Sequence, residues 1–250
     1  MKRSVLIVED DRELRSVMVE DFTRKGYDVR DAENGSAAFD LFRERPAELV
    51  ITDGRMPGGD GNELIERLMG LGSKPAIMIV SGYNDLKNEE VFDRGALAVF
   101  TKPFNRRQLF QTVERALKPL EERFSVRPDG LEGAPKLVVK GGSLAGLFAS
   151  GKLASGRGGL FVSHEGVFPE LEKPLTIRIE VAEGAAIEAL GIVRWVRDQG
   201  VLVLGFGFEP VFAEPASRAE LIRLLESSTR NCFIPRHPDP SAKATKRREP

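Results

Sequence analysis

Cysteine is almost absent: the 250 residues contain one, Cys232. That excludes an intramolecular disulfide. With only two histidines besides, it leaves no ligand set for a structural zinc site. An excess of one charge sign is missing too. Lys and Arg number 37 against 38 Asp and Glu, a formal net charge of -1. The chain as a whole therefore offers no basic surface for nucleic acid. Long apolar runs are also lacking. No stretch approaches the roughly 20 apolar residues of a membrane-spanning helix. The basic start leads into an apolar run that stops at Glu9, too short for the core of a secretion signal. Together these absences predict a soluble cytoplasmic protein.

What is present falls into two compositional halves. Residues 1-118 alternate short apolar runs with charged, helix-periodic stretches. Val5-Leu6-Ile7-Val8 is a continuous apolar run, as for a strand buried on both faces. Leu14, Val17, Met18 and Phe22 follow at helical spacing, and Gly26 ends that helix. The pattern repeats. Strands are predicted near Tyr27–Val29, Leu49–Ile51, Ala76–Val80 and Ala98–Phe100, each followed by a helical stretch. Five such units predict a doubly wound α/β domain on a five-stranded parallel sheet.

The chemistry-bearing residues sit where the apolar runs end. Glu9 and Asp10 follow the first strand, and Asp53 the third. Ser81 follows the fourth strand and Lys102-Pro103 the fifth. In an open α/β sheet the strand C-termini form the ligand-binding edge, so one edge gathers all of them. Three acids with a hydroxyl and an ammonium group describe a magnesium-dependent phosphate site. A hard cation with oxygen ligands offsets repulsion between a carboxylate and an incoming phosphoryl group. Asp11 reads instead as a helix-start residue.

This constellation resembles the receiver domain of two-component response regulators. The resemblance implies a phosphoryl acceptor, not a dedicated enzyme: a phosphoprotein in a phosphorelay whose Asp53 takes a phosphoryl group from a histidine kinase. It implies Mg²⁺ held by Asp10 and Asp53, with Glu9 acting through water and the Arg55 backbone carbonyl as a further ligand. Lys102 would contact phosphoryl oxygens. Ser81 and the aromatic Phe100 would be the switch residues. Arg55 and Tyr83 occupy positions that flank the route of the hydrolytic water, and their bulk is expected to slow dephosphorylation. A homodimer through the receiver is compatible with the resemblance.

Residues 119-132 are charged, hold two prolines, and read as a linker or helix extension. From 133 to 230 the period changes to 2. Leu137–Val139, Gly159–Val162, Leu175–Val181, Ile187–Val196 and Val201–Phe208 read as short antiparallel strands of a small barrel, and Ser217 opens an amphipathic helix. Residues 231-250 are poor in apolar residues and are expected to be disordered. Within them, the basic run Lys243–Arg248 reads as a solvated terminus, with weak contact to nucleic acid or anionic lipid as the lesser alternative.

Ser155-Gly156-Arg157-Gly158-Gly159, Val193–Val196 and Gly205–Glu209 resemble a PilZ domain, a six-stranded barrel with a C-terminal helix. Many members bind cyclic di-GMP through Arg-x-x-x-Arg and Asp/Asn-x-Ser-x-x-Gly. Arg123 and Arg127 match the first motif. Ser155 and Gly158 fit the second, but Leu153 stands where Asp or Asn belongs. Two outputs stay open. One is a protein-interaction module with an unnamed downstream partner. The other is a phosphorylation-gated cyclic di-GMP receptor. For Arg123 and Arg127 a solvated connector helix is the competing reading. Residues after 130 show no helix-turn-helix pattern, so specific DNA binding is not expected.

Overall fold

A computed structural model describes residues 2-72, 74-82, 87-182, 184, 186-200, 202-228 and 231-236. Two compact units divide the chain, Met1–Lys118 and Pro119–Pro250. Among the described residues no helix is long and apolar enough to cross a membrane.

The first unit alternates strand and helix throughout. Its elements are β1 (Ser4–Val8), α1 (Arg12–Arg24), β2 (Asp28–Ala32), α2 (Gly35–Glu44) and β3 (Leu49–Asp53). Then come α3 (Gly61–Gly70), β4 (Ala76–Ser81), α4 (Asn88–Arg94), β5 (Ala98–Thr101) and α5 (Arg106–Ala116). The strands lie in the order β2-β1-β3-β4-β5, and every pairing is parallel. Every residue of β3 is buried, which is why the sequence there is apolar without alternation. Helix starts follow local chemistry. Asp11, Asn34, Asp60 and Asn105 each place a side-chain oxygen on a backbone N–H of the first turn. Gly95, at φ 118°, ends α4 in the left-handed conformation that a Cβ disfavours. Leu6, Val8, Val50, Leu64, Leu68 and Ile77 belong to one core between sheet and helices.

The second unit begins with the one-turn α6 (Leu120–Arg123) and β6 (Lys136–Gly141). It continues through α7 (Leu144–Ala149), β7 (Leu153–Ser155), β8 (Leu160–Ser163) and β9 (Pro174–Val181). It ends with β10 (Ile187–Arg197), β11 (Gly205–Phe212) and α8 (Pro215–Glu226). Six strands lie in the order β6-β9-β10-β11-β8-β7. The sheet is a mixed half-barrel, because β6 runs parallel to β9 while the other pairs are antiparallel. This differs from the expected all-antiparallel barrel. Three elements separate β6 from β9, which is the long connection a parallel pair needs. Alternation in β9 buries Leu175, Ile177 and Ile179 on one face. Phe206, Phe208, Val193, Leu160 and Leu221 fill the same core.

Three local readings are adjusted. Short helix α7 was not legible in Leu144–Ala149, a stretch that holds a glycine. Helix α8 starts at Pro215, so Ser217 lies inside it, where its Oγ accepts from Glu188 N–H at 3.0 Å. Residues 231-236, expected as part of a tail without structure, pack with Cys232, Phe233 and Ile234 buried. The remainder of that tail, the run Lys243–Arg248 included, lies outside the described residues, as does Tyr83.

Candidate functional site

The strand order places β1 beside β3, with β2 on one side and β4 and β5 on the other. Connections diverge at that point, and the divergence opens a crevice beyond the strand C-termini. Glu9 and Asp10 enter it from β1, and Asp53 from the end of β3. Carboxylate oxygens of all three lie within 4.8 Å of one another. Glu9 is 2% exposed and Asp53 9%, whereas Asp10 faces solvent.

Lys102, just past β5, reaches across β4 to this cluster. Its Nζ donates to Glu9 Oε2 at 2.8 Å and Oε1 at 3.0 Å, and to Asp53 Oδ2 at 2.6 Å. Burial pushes the Glu9 carboxyl above its ordinary value; Lys102 opposes that and the Asp53 charge adds to it. Burial alone would pull the Lys102 ammonium down. Its bonds to Asp53 and Glu9 outweigh that, and its affinity for the proton ends above the ordinary value.

The other Asp53 oxygen, Oδ1, accepts from the Arg55 backbone N–H at 3.1 Å. The acceptor carboxylate is thus held from both sides. Ser81 ends β4, 2% exposed, and its carbonyl accepts from Lys102 N–H at 2.7 Å. Phe100 pairs with Val80 in the β4–β5 register and is buried at 7% exposure. Glu9, Asp10, Asp53 and Lys102 are therefore brought together, with Ser81 at the adjacent strand end. Asp11 accepts from Glu13 and Leu14 N–H as the cap of α1, as its sequence context predicts.

Two residues that position the site, Arg15 and Thr52, were not picked out from the sequence, and a third, Gly61, plays a part there that the sequence did not reveal. Arg15 donates to the carbonyls of Glu9 at 2.5 Å and Asp10 at 3.3 Å, fixing the turn after β1. Its signal was its place four residues after the Asp11 cap, one helical turn on. Thr52 donates its hydroxyl to the Asp53 carbonyl at 2.9 Å. Gly61 packs so closely that a Cβ there would lie 2.1 Å from the Asp53 carbonyl oxygen. Only glycine lets α3 start against the end of β3.

A family model for the response regulator receiver domain matches residues 5–114. Sporulation initiation phosphotransferase F of Bacillus subtilis (strain 168) is 31% identical over 118 residues, 47% of this chain and 95% of that protein. The response regulator receiver protein CpdR of Brucella abortus (strain 2308) is 34% identical over 118 residues, 47% of this chain and 98% of that protein. This chain belongs to the response regulator receiver family. It shares 31% identity over 143 residues with the DNA-binding transcriptional regulator NtrC of Azospirillum brasilense, but those span only 30% of that protein. As a receiver, the first unit accepts phosphoryl groups and implies a histidine kinase as partner. The receiver's acidic cluster of Glu9, Asp10 and Asp53 fits Mg²⁺: three carboxylates converge, and hard oxygen donors are what that ion takes.

The second unit gathers its sequence-predicted residues less tightly. Leu153 is fully buried in the core. Ser155 ends β7, and Gly158 lies in the turn to β8. The Arg127 guanidinium stands 5.7 Å from the Phe212 ring centre. Arg157, inside the turn, was given no role of its own by the sequence. Burial pulls its guanidinium below the ordinary value; the Cys232 thiol opposes this, and the like charge of Arg123 adds to it. Trp195 is 2% exposed and stacks on Phe161 with ring centres 5.7 Å apart.

Proposed function

We propose that Asp53 is the phosphoacceptor and that the receiver switches a PilZ-like output domain acting mainly through protein interaction. In the transfer, the phosphorus–nitrogen bond of the kinase's phosphohistidine breaks. A phosphorus–oxygen bond forms on Asp53, and the imidazole leaves. The observation that carries this reading is the position of Asp53: largely buried, held by the Arg55 N–H on one oxygen and by Lys102 on the other. Such a carboxylate is oriented before the donor arrives, so little ordering remains to be done at the transition state.

Asp10 and Asp53 would hold Mg²⁺ directly, Glu9 through water, and the Arg55 carbonyl would complete the set. When bound, the ion screens the repulsion between the anionic acceptor and the phosphoryl group. Lys102 meets the transferred phosphoryl oxygens as a mobile point charge. It leaves its ion pair with Glu9 and Asp53 only in part, since Glu9 still anchors it. Ser81 then donates its hydroxyl to a phosphoryl oxygen, and Phe100 rotates as the switch aromatic. That is a two-state element biased by a local charge.

Labelling by acetyl phosphate or by a kinase tests the site. Asp53→Ala should abolish it, and retained label would overturn the assignment. Leu153 supports the protein-interaction output, since a core leucine cannot accept a hydrogen bond from guanine. Sedimentation with and without acetyl phosphate should show a change in self-association or in docking of a partner; identical profiles would count against it.

A second reading is a phosphorylation-gated cyclic di-GMP receptor using Arg123, Arg127, Ser155 and Gly158. What favours it is the Arg123-x-x-x-Arg127 spacing together with Ser155 and Gly158 at the turn between β7 and β8. Guanidinium groups fork onto phosphates and guanine edges. Calorimetric titration of cyclic di-GMP, with Arg123→Ala/Arg127→Ala as control, separates the two outputs.

A further inference from the structure

The turn Ser155–Gly159 of the second unit is already occupied by the chain's own C-terminal segment. Arg157 N–H donates to the Cys232 carbonyl at 2.9 Å, and Gly158 N–H to the Phe233 carbonyl at 3.1 Å. Arg157 Nε donates to the Asn231 carbonyl at 2.9 Å. Ser228 at the end of α8 donates its hydroxyl to the Ser155 carbonyl at 2.8 Å. The glycines make room for this segment. A Cβ on Gly158 would stand 1.9 Å from the Phe233 ring, one on Gly156 2.4 Å from the Phe233 carbonyl oxygen, and one on Gly159 2.5 Å from the Ile234 side chain.

We propose that Asn231–Arg236 is an internal competitor for this face, a strap that cyclic di-GMP must displace to bind. The proposal rests on the cyclic di-GMP reading of the second unit. Two successive backbone N–H groups and a guanidinium face the same short stretch, Asn231 to Phe233, and clustered donors of this kind suit an anion. The strap answers these three donors with neutral carbonyl oxygens. A phosphodiester would answer them with charged oxygens, and charge-assisted hydrogen bonds are the stronger ones. Displacement would expose the buried side chains of Phe233 and Ile234, but it would also return conformational entropy to the six residues of the strap. A ligand that binds only the open face then shifts the population toward it.

Calorimetry and thiol labelling together test this in the full chain. Cys232 is the chain's one thiol and lies buried in the strap, so its reaction with a maleimide reports release. Phe233→Ala and Ile234→Ala should each tighten cyclic di-GMP binding at least about tenfold, and saturating cyclic di-GMP should speed Cys232 labelling in the unaltered chain by a similar factor. Equal affinity in all three chains, with labelling of the unaltered chain unchanged by ligand, overturns the competition and leaves the cyclic di-GMP reading standing. Absence of binding in every chain, even where the variants label faster, overturns both. The labelling arm needs no variant: ligand that binds the unaltered chain yet slows Cys232 labelling, or leaves it as it was, also overturns the strap.

Discussion

The two units handle polar groups at strand ends in opposite ways. In the receiver, three carboxylates and an ammonium converge on one crevice, and the largely buried Asp53 is satisfied by Lys102 and a single backbone N–H. In the second unit, the turn between β7 and β8 presents mostly backbone groups, and the same chain satisfies them. The first arrangement concentrates like charge where a cation and a phosphoryl group can relieve it. The second leaves its donors closed over by carbonyls. Chemistry can be read from the first because charged side chains are costly to bury without a purpose. Backbone donors in a turn carry no such cost once paired, so their use is far less specific.

The comparison can be broken from either side. Removing the Phe206 side chain from the core of the second unit should lower that unit's stability by about 4 kcal/mol, while phosphoryl labelling of Asp53 persists. Loss of labelling in Phe206→Ala would mean that the units do not fold as separate cores. Gly61→Ala does the converse. Its Cβ would overlap the Asp53 carbonyl, and overpacking of this kind costs about 2 kcal/mol. Denaturation followed by Trp195 fluorescence, which reports the second unit, should be unmoved, while receiver unfolding by hydrogen exchange shifts.

Lys102→Ala sharpens the comparison at the site itself. A hydrogen bond to a charged group is worth roughly 1.5–3 kcal/mol, so labelling should slow by at least about tenfold. Circular dichroism of that variant should match the unaltered chain, because the ammonium stands at the rim of the crevice. Unaltered transfer and switching would remove Lys102 from the mechanism. The smallest effect is expected at Arg55. If its long side chain impedes the hydrolytic water, Arg55→Ala should shorten the phosphoryl half-life by roughly threefold, on the order of 0.6 kcal/mol. An unchanged half-life would leave Arg55 acting through its backbone alone.

Legibility differed between the units for a physical reason. Each receiver strand announces itself as an apolar run that ends in a polar residue, because strands buried on both faces tolerate nothing else. That pattern alone puts Glu9, Asp10, Asp53, Ser81 and Lys102 on one edge. It does not place Arg15 and Thr52, since their contacts are with backbone carbonyls and follow no charge pattern. In the second unit, alternation in β9 and β10 marked the sheet, but the parallel pairing of β6 with β9 left no trace in periodicity. Phe233 and Ile234 fall in the stretch 231-250 that composition marked as disordered. Their partners are glycines about 75 positions earlier in the chain, and a glycine's missing side chain has no pattern to detect.

By itself, then, the sequence determined the alternating α/β architecture, the change of period near residue 133, and the five charged or hydroxyl side chains that strand ends had to present together. Hydrophobic periodicity and the cost of burying charge are local properties, and they suffice for that. Tertiary structure alone decided that Lys102 bridges Glu9 and Asp53, that Gly61 admits α3 against β3, that β6 pairs in parallel, and that Asn231–Arg236 closes over the glycine turn. Those outcomes depend on which distant backbones come within hydrogen-bonding reach, and loop closure and packing settle that only once the whole chain is folded.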